Sequence, residues 1–242
     1  YDYGWRNYDP ALGRWAVIDP MADVNPNWTP YRYAFNNPLM FIDPTGMLED
    51  DYKLNQDGEI ELLQETNDAT DTLYASDEKG NVDKDNSITV KKGVLDNIEN
   101  TSYFDAEIEE NIPIQIMDSS KADNTQELFE FVANNSTSEF SIANFKNGKT
   151  LISTSFKGGT EYSLNVTIPQ NGELLTHDHS HTDGLPGPSP DDTNTIKLIK
   201  ESQSFIPTFR VYNPNTGNYI KYDENTPNVV LPSVNLKGKK SN

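Results

Sequence analysis

All three histidines of the 242-residue chain fall within five positions, His177-Asp178-His179-Ser180-His181, and Ser189 and Asp192 follow at fixed distances. Two imidazole nitrogens and one carboxylate oxygen are the donor set of an open zinc site whose fourth position is left for water. In an extended strand, residues two apart share a face. His177, His179 and His181 therefore point the same way, and any two of them could grip one metal ion, while Asp178 and Ser180 face the other side. Asp192 can supply an oxygen if the stretch 182–190 folds back, and Gly184, Gly187 and the prolines there suit a shaped, irregular turn. Asp192 also stands at the start of a predicted helix, where the N-terminal dipole favours a carboxylate. The chemistry these residues predict is metal-dependent hydrolysis.

Composition narrows the setting. The chain contains no cysteine, which excludes disulfide scaffolds, thiolate zinc sites and cysteine nucleophiles. Its formal charge is −19, and residues 48–125 hold most of it, with 21 acidic against 6 basic side chains. Nucleic-acid partners require a basic footprint. The short run Lys237-Gly238-Lys239-Lys240 reads as a frayed end instead, so no nucleic-acid partner is expected. No apolar run approaches the roughly 20 residues of a membrane span. The opening Tyr1-Asp2-Tyr3-Gly4 carries no basic-then-apolar leader, and the chain reads as a piece of a longer protein.

The elements that must position the histidines follow from pattern. Residues 1–47 are rich in Tyr, Trp, Pro and Asn and predict short strands and irregular loops. Residues 48–118 read as an acidic, β-rich connector, with a hairpin around Gln56-Asp57-Gly58 and a turn at Glu78-Lys79-Gly80-Asn81. Asp77 to Asp85 departs from the calcium-loop order at Lys79, Gly80 and Asn81, which favours a solvated turn. A helix is predicted over 119–136, opened by a capping box at Asn124-Thr-Gln-Glu127 and facing inward with Leu128, Phe129 and Val132. Asn147-Gly148 predicts a hairpin between 139–145 and 150–156. Residues 161–168 predict another strand, 193–202 a helix, and 209–212 with 219–222 a final hairpin. The order predicts a single α+β (α/β) domain over 119–232 with a central sheet flanked by helices, followed by a flexible tail at 233–242.

Two stretches resemble known families. Residues 1–47 resemble the end of the core of Rhs (YD-repeat) proteins, through Tyr1-Asp-Tyr-Gly4, Arg6-Asn-Tyr-Asp-Pro10, Leu12-Gly-Arg-Trp15, Asp19-Pro20, Tyr31-Arg-Tyr-Ala-Phe-Asn-Asn-Pro38 and Phe41-Ile-Asp-Pro-Thr-Gly46. The resemblance implies a β-rich shell with a variable toxin behind it. It also implies a cut between Met47 and Leu48 by the pair Asp19 and Asp43. The first motif, Asp-Pro-Met-Ala, lacks its glycine, which favours two turn-capping aspartates instead.

The second resemblance covers about residues 120–224. His179-Ser180-His181-x7-Ser189-x2-Asp192 is similar to the JAMM (MPN+) metalloprotease motif, with Thr182 where that family usually has proline. The combination looks like the JAB-like toxins carried by Rhs-type proteins. The resemblance implies one Zn2+ per chain held by His179, His181 and Asp192. Glu139 would take a proton from the attacking water and pass it to the leaving amine, and Ser189 would donate to the oxyanion. Glu161 is the main rival to Glu139. Glu173, only six residues before His179, is too near for a separate strand to cross. His177 would touch a ligand or stand exposed rather than bind metal. The implied activity is a peptidase or isopeptidase toxin, delivered to a target cell by an unspecified export route. Its implied partners are a protein substrate, a cognate immunity protein and the Rhs shell. The competing expectations are a metal-dependent nuclease and a non-catalytic, zinc-stabilised binding module.

Overall fold

The computed structural model describes residues 7–17, 31, 33, 50–64, 70–106, 108–156, 162–182 and 185–229. Asp19, Asp43, Met47, Glu161 and the tail 233–242 lie outside the described residues.

Near the start, β1 (Tyr8–Asp9) and β2 (Arg14–Trp15) form a small antiparallel hairpin. Tyr8, Trp15 and Tyr33 pack their rings together, with Trp15 and Tyr33 buried. A four-stranded sheet follows, from β3 (Asp50–Leu54), β4 (Ile60–Gln64), β5 (Thr70–Ser76) and β6 (Val82–Lys91), in the order β4-β3-β5-β6. The turn between β3 and β4 falls at Gly58, whose φ of +91° is open to glycine at little cost. Between β5 and β6, Asp77 accepts from the amides of Lys79 and Asn81 and closes a solvated turn, as expected.

A second, seven-stranded sheet holds the rest of the described strands. It comprises β7 (Ile98–Asp105), β8 (Glu110–Asp118), β9 (Phe140–Phe145), β10 (Thr150–Thr154), β11 (Leu174–Ser180), β12 (Thr208–Asn213) and β13 (Asn218–Tyr222). Their order is β13-β12-β11-β9-β10-β8-β7. All neighbours run antiparallel except β11 and β12. Three helices join them: α1 (Thr125–Asn134) between β8 and β9, α2 (Leu164–Asn171) between β10 and β11, and α3 (Pro190–Ser202) as the crossover from β11 to β12. This is an α+β fold, as the element pattern predicts.

The two faces of the large sheet bury different partners. On one, Leu128, Phe129 and Val132 of α1 pack on Ile142, Ile152 and Tyr212, in one core with Leu54, Leu73 and Val90 of the small sheet. On the other, Leu164 of α2 and Ile196 and Ile199 of α3 cover Ala143, Phe145, Phe209, Val211 and Tyr222. Among the described residues no helix is long and apolar enough to cross a membrane.

Four expectations are corrected. The strand predicted over 161–168 is the helix α2, although Val166, Thr167 and Ile168 are β-branched and Pro169 lies inside it. Its inward positions, Leu164 and Thr167, are three apart, so burial follows a helical period that overrides the local β preference. The helix predicted over 119–136 occupies only Thr125–Asn134. Its capping box does not form; the Asn124 side chain instead donates through Nδ2 to the Thr89 carbonyl on β6. The helix predicted over 193–202 begins earlier, at Pro190. Finally, β7 and β8 fall within the acidic connector of 48–118 yet pair into the large sheet through β10, so the sheet begins at Ile98 rather than after residue 118.

Candidate metal centre

The strand β11 sits inside the sheet, between β9 and β12, and is covered on both faces. His177 and His179 lie on the face toward α2 and α3, opposite Ala143 and Ser141 of β9. His181 follows directly after the strand, tied in by its amide to the Tyr212 carbonyl (3.2 Å). All three histidines are buried, at 4%, 1% and 4% exposure in chain order.

Asp192 is brought in by the start of α3. Ser189 occupies the N-cap in an extended conformation, with Pro190 at the first helical position, where its missing N–H costs nothing. The Ser189 hydroxyl accepts from the Asp192 amide (3.3 Å), and the Ser189 amide donates to Asp192 Oδ2 (2.6 Å). This reciprocal capping box turns the carboxylate back along the chain, toward the histidines. Asp192 Oδ1 lies 3.1 Å from His179 Nε2, and Oδ2 lies 3.2 Å from His181 Nε2. The two Nε2 atoms are 3.0 Å apart. Burial opposes the charge on Asp192, but His179, hydrogen bonds from both histidines and the Ser189 amide hold its carboxyl well below the usual range.

These groups fit a zinc ion. One donor atom from each of His179, His181 and Asp192 lies within 4.8 Å of the others. Tetrahedral zinc with bonds of about 2.0–2.1 Å sets its donors roughly 3.3 Å apart, close to the Nε2–Nε2 separation and to the distance from each Nε2 to its nearer carboxylate oxygen. Two ring nitrogens of one type facing each other and a carboxylate are lone-pair donors converging on one point. His179 Nδ1 points to the Tyr222 hydroxyl at 3.5 Å, the outward partner a ligating histidine usually has. Burial first, then the carboxylates of Asp192, Asp178 and Glu139, raise the Tyr222 phenol well above its ordinary range, so it stays protonated.

Glu139 precedes β9 and is buried, 3% exposed. The β9–β11 register sets Ser141 opposite His179. Continued in step, it sets Glu139 opposite His181 and on the same face, where directly opposed residues are close neighbours. Its backbone carbonyl is fixed by the Thr154 hydroxyl (2.8 Å). Glu173 is excluded as its rival: it pairs with Lys146 at the far end of β11, before Leu174.

His177 is not among the three convergent ligands. Its ring stacks on that of His179 at 5.5 Å between centroids, and among the described residues neither of its nitrogens has a hydrogen-bond partner. Burial, then the neighbouring His179, push its pKa down to about 3. Ser189 is committed as a cap acceptor, which leaves its hydroxyl hydrogen available to a substrate oxygen.

Sequence reading missed two contributors. Tyr222 was legible only as part of a hairpin; its parity with Phe209 across β12–β13 places it on the histidine face. Ser141, Ser153 and Ser163 form a buried hydroxyl cluster beside His179, with separations of 3.0, 3.2 and 2.7 Å. No local signal marks serines on two strands and a helix start as neighbours.

A family model described as JAB-like toxin 1 matches residues 117–207, the segment that holds Glu139, His179, His181, Ser189 and Asp192. Two curated proteins match shorter stretches. Toxin subunit YenC2 of Yersinia entomophaga is 47% identical over 47 residues, 19% of this chain and 5% of that protein. Salivary gland surface protein 1 of Aedes aegypti is 44% identical over 48 residues, 20% of this chain and 1% of that protein. The chain therefore spans only a small part of either relative. No solved structure matches it. Residues 117–207 are thus similar to a JAB-like toxin family, and within them lies a group able to hold a metal ion.

Proposed function

We propose that this domain is a zinc-dependent peptidase or isopeptidase toxin. The observation that carries the reading is the convergence of His179, His181 and Asp192 at the end of β11, with Glu139 set opposite His181 by strand register. Bound zinc would act as a Lewis acid and lower the pKa of water toward about 7. Glu139 then takes the proton of the attacking water and returns it to the leaving amine, a transfer that contributes roughly 10²–10⁴-fold. The Ser189 hydroxyl donates to the developing oxyanion, and losing such a donor costs about 10²–10³-fold. Asp192 has a double duty, as metal ligand and as the acceptor that orients Ser189.

The setting we propose is a toxin tip on an Rhs-type shell, supported by the motifs of residues 1–47 and by the toxin subunit among the relatives. Its site of action is the interior of a target cell, and its producer is protected by a cognate immunity protein that covers the metal cleft. Self-cleavage by Asp19 and Asp43 is the less favoured part of this setting.

The test is zinc content, growth and proteome cleavage in cells expressing wild type or Glu139→Gln. One equivalent of zinc in both, with killing and new protein termini only in wild type, supports the reading. A fully active Glu139→Gln removes Glu139 from the mechanism, and cleavage of DNA or RNA in place of protein replaces the peptidase reading with the nuclease one.

A further inference from the structure

Behind Asp192 lies a cavity of about 50 Å³ lined by Leu164, Asn165, His177, Asp192, Thr195 and Tyr222. It lies between α2, α3 and the sheet, and its wall includes neither His179 nor His181. His177 is more than nine-tenths buried there, with both ring nitrogens unpaired among the described residues. A buried polar group without a partner is costly, so whatever enters the cavity must complete the imidazole.

We infer that the cavity is a subsite for a small neutral group that both donates and accepts, a carboxamide or a hydroxyl. As a subsite for a substrate side chain next to the scissile bond, it rests on the peptidase reading. The chemistry follows from the walls. A neutral imidazole offers one donor and one acceptor, and the Tyr222 and Thr195 hydroxyls offer both. An apolar group leaves both ring nitrogens unpaired. A carboxylate is repelled by Asp192, and an ammonium, which has no acceptor, leaves the ring N–H unmatched. The volume admits a group the size of about three waters, since a water needs at least about 10–15 Å³ of such space, and it excludes an aromatic ring. Asn165 is exposed and stands at the mouth, where its amide can meet the entering group.

The chain has only three histidines, so a ¹⁵N-histidine spectrum of the full, zinc-loaded chain resolves His177 from the two ligands. Titrating that protein with acetamide should shift the His177 ring nitrogens saturably. Acetate and methylammonium should bind about tenfold more weakly, the ratio one ordinary hydrogen bond supplies. Thr195→Val and Asn165→Ala, at positions outside the metal ligands, should each weaken acetamide by a similar factor while zinc stays at one equivalent. In a digest of a peptide library, the zinc-loaded chain should favour Asn, Gln, Ser or Thr at one position beside the cut, and Thr195→Val should lose that preference. Acetamide binding at His177 without any cleavage supports the subsite and removes the peptidase reading. Cleavage with no polar preference and no acetamide response at His177 overturns the subsite and leaves the peptidase reading standing. Equal binding of all three probes also overturns it.

Discussion

The two faces of β11 are made of neighbouring residues yet have opposite polar economies. Toward α1, Asp178 accepts from Arg210 Nε (2.8 Å) and Nη2, and the Arg210 guanidinium stacks 4.6 Å over the Tyr219 ring. The Tyr219 hydroxyl goes on to Glu130 of α1 (2.8 Å), and Ser180 accepts from the Phe140 amide (3.0 Å). Every polar group named on that face has a partner. Toward α2 and α3, among the described residues, His177 has none at either nitrogen and His181 Nδ1 has none, while the Nε2 atoms of His179 and His181 face each other. A satisfied buried network makes a fold specific. Buried groups left facing each other call for a further species, here a cation and a small polar ligand. One strand thus separates structure from chemistry by side-chain alternation alone.

The sharpest way to break this contrast is to remove one group from each face. Asp192→Ala should cut zinc affinity by on the order of 10³-fold, beyond the 10–100-fold that orienting groups command, as read by titration with zinc. Asp178→Ala should leave zinc affinity of the folded protein unchanged and instead lower unfolding free energy by about 3 kcal/mol, the low end for breaking a buried pair, because Arg210 is partly exposed. If Asp178→Ala lost zinc at unchanged stability, the two faces would not be separate. Tyr222→Phe, which keeps the ring and removes only the partner of His179, should weaken zinc about tenfold with little change in melting temperature. The smallest effect sharpens the role of Ser189. Ser189→Ala should cost about 1 kcal/mol of stability through the lost cap, and Ser189→Asp should restore it. Hydrolysis that stays depressed in Ser189→Asp separates the hydroxyl's action on substrate from its capping.

The sequence made the histidine strand, the Asn147-Gly148 hairpin and the last hairpin legible, because each depends on a local period or a turn residue. That His179, His181 and Asp192 would converge was legible through spacing, and Ser189-Pro-Asp-Asp192 is also a helix-start pattern that places Asp192 without any family knowledge. What could not be read is pairing between distant segments. β7 and β8 alternate like any surface hairpin, and nothing local announces that β8 lies beside β10. The helix α2 was hidden because three β-branched residues outweighed its one clear signal, Gly172 at the end with φ +80°. Asn124 shows the reverse error, a correct cap residue used elsewhere, by Thr89 on a strand of the other sheet.

The parallel pairing of β11 and β12 has a further consequence for how this domain can vary. The histidines end one strand and Asp192 opens the helix of the crossover that follows, so metal binding would staple the two sides of a loop rather than organise its interior. The entropy of closing such a loop rises only slowly with length. Residues between Thr182 and Pro186 could therefore lengthen or change wholesale at little thermodynamic cost. The boundary of that freedom is Gly187, where any Cβ would meet Val229 at 2.9 Å, and Pro188, whose carbonyl holds the Val229 amide. Variation confined to so few positions would leave the candidate metal centre as it stands.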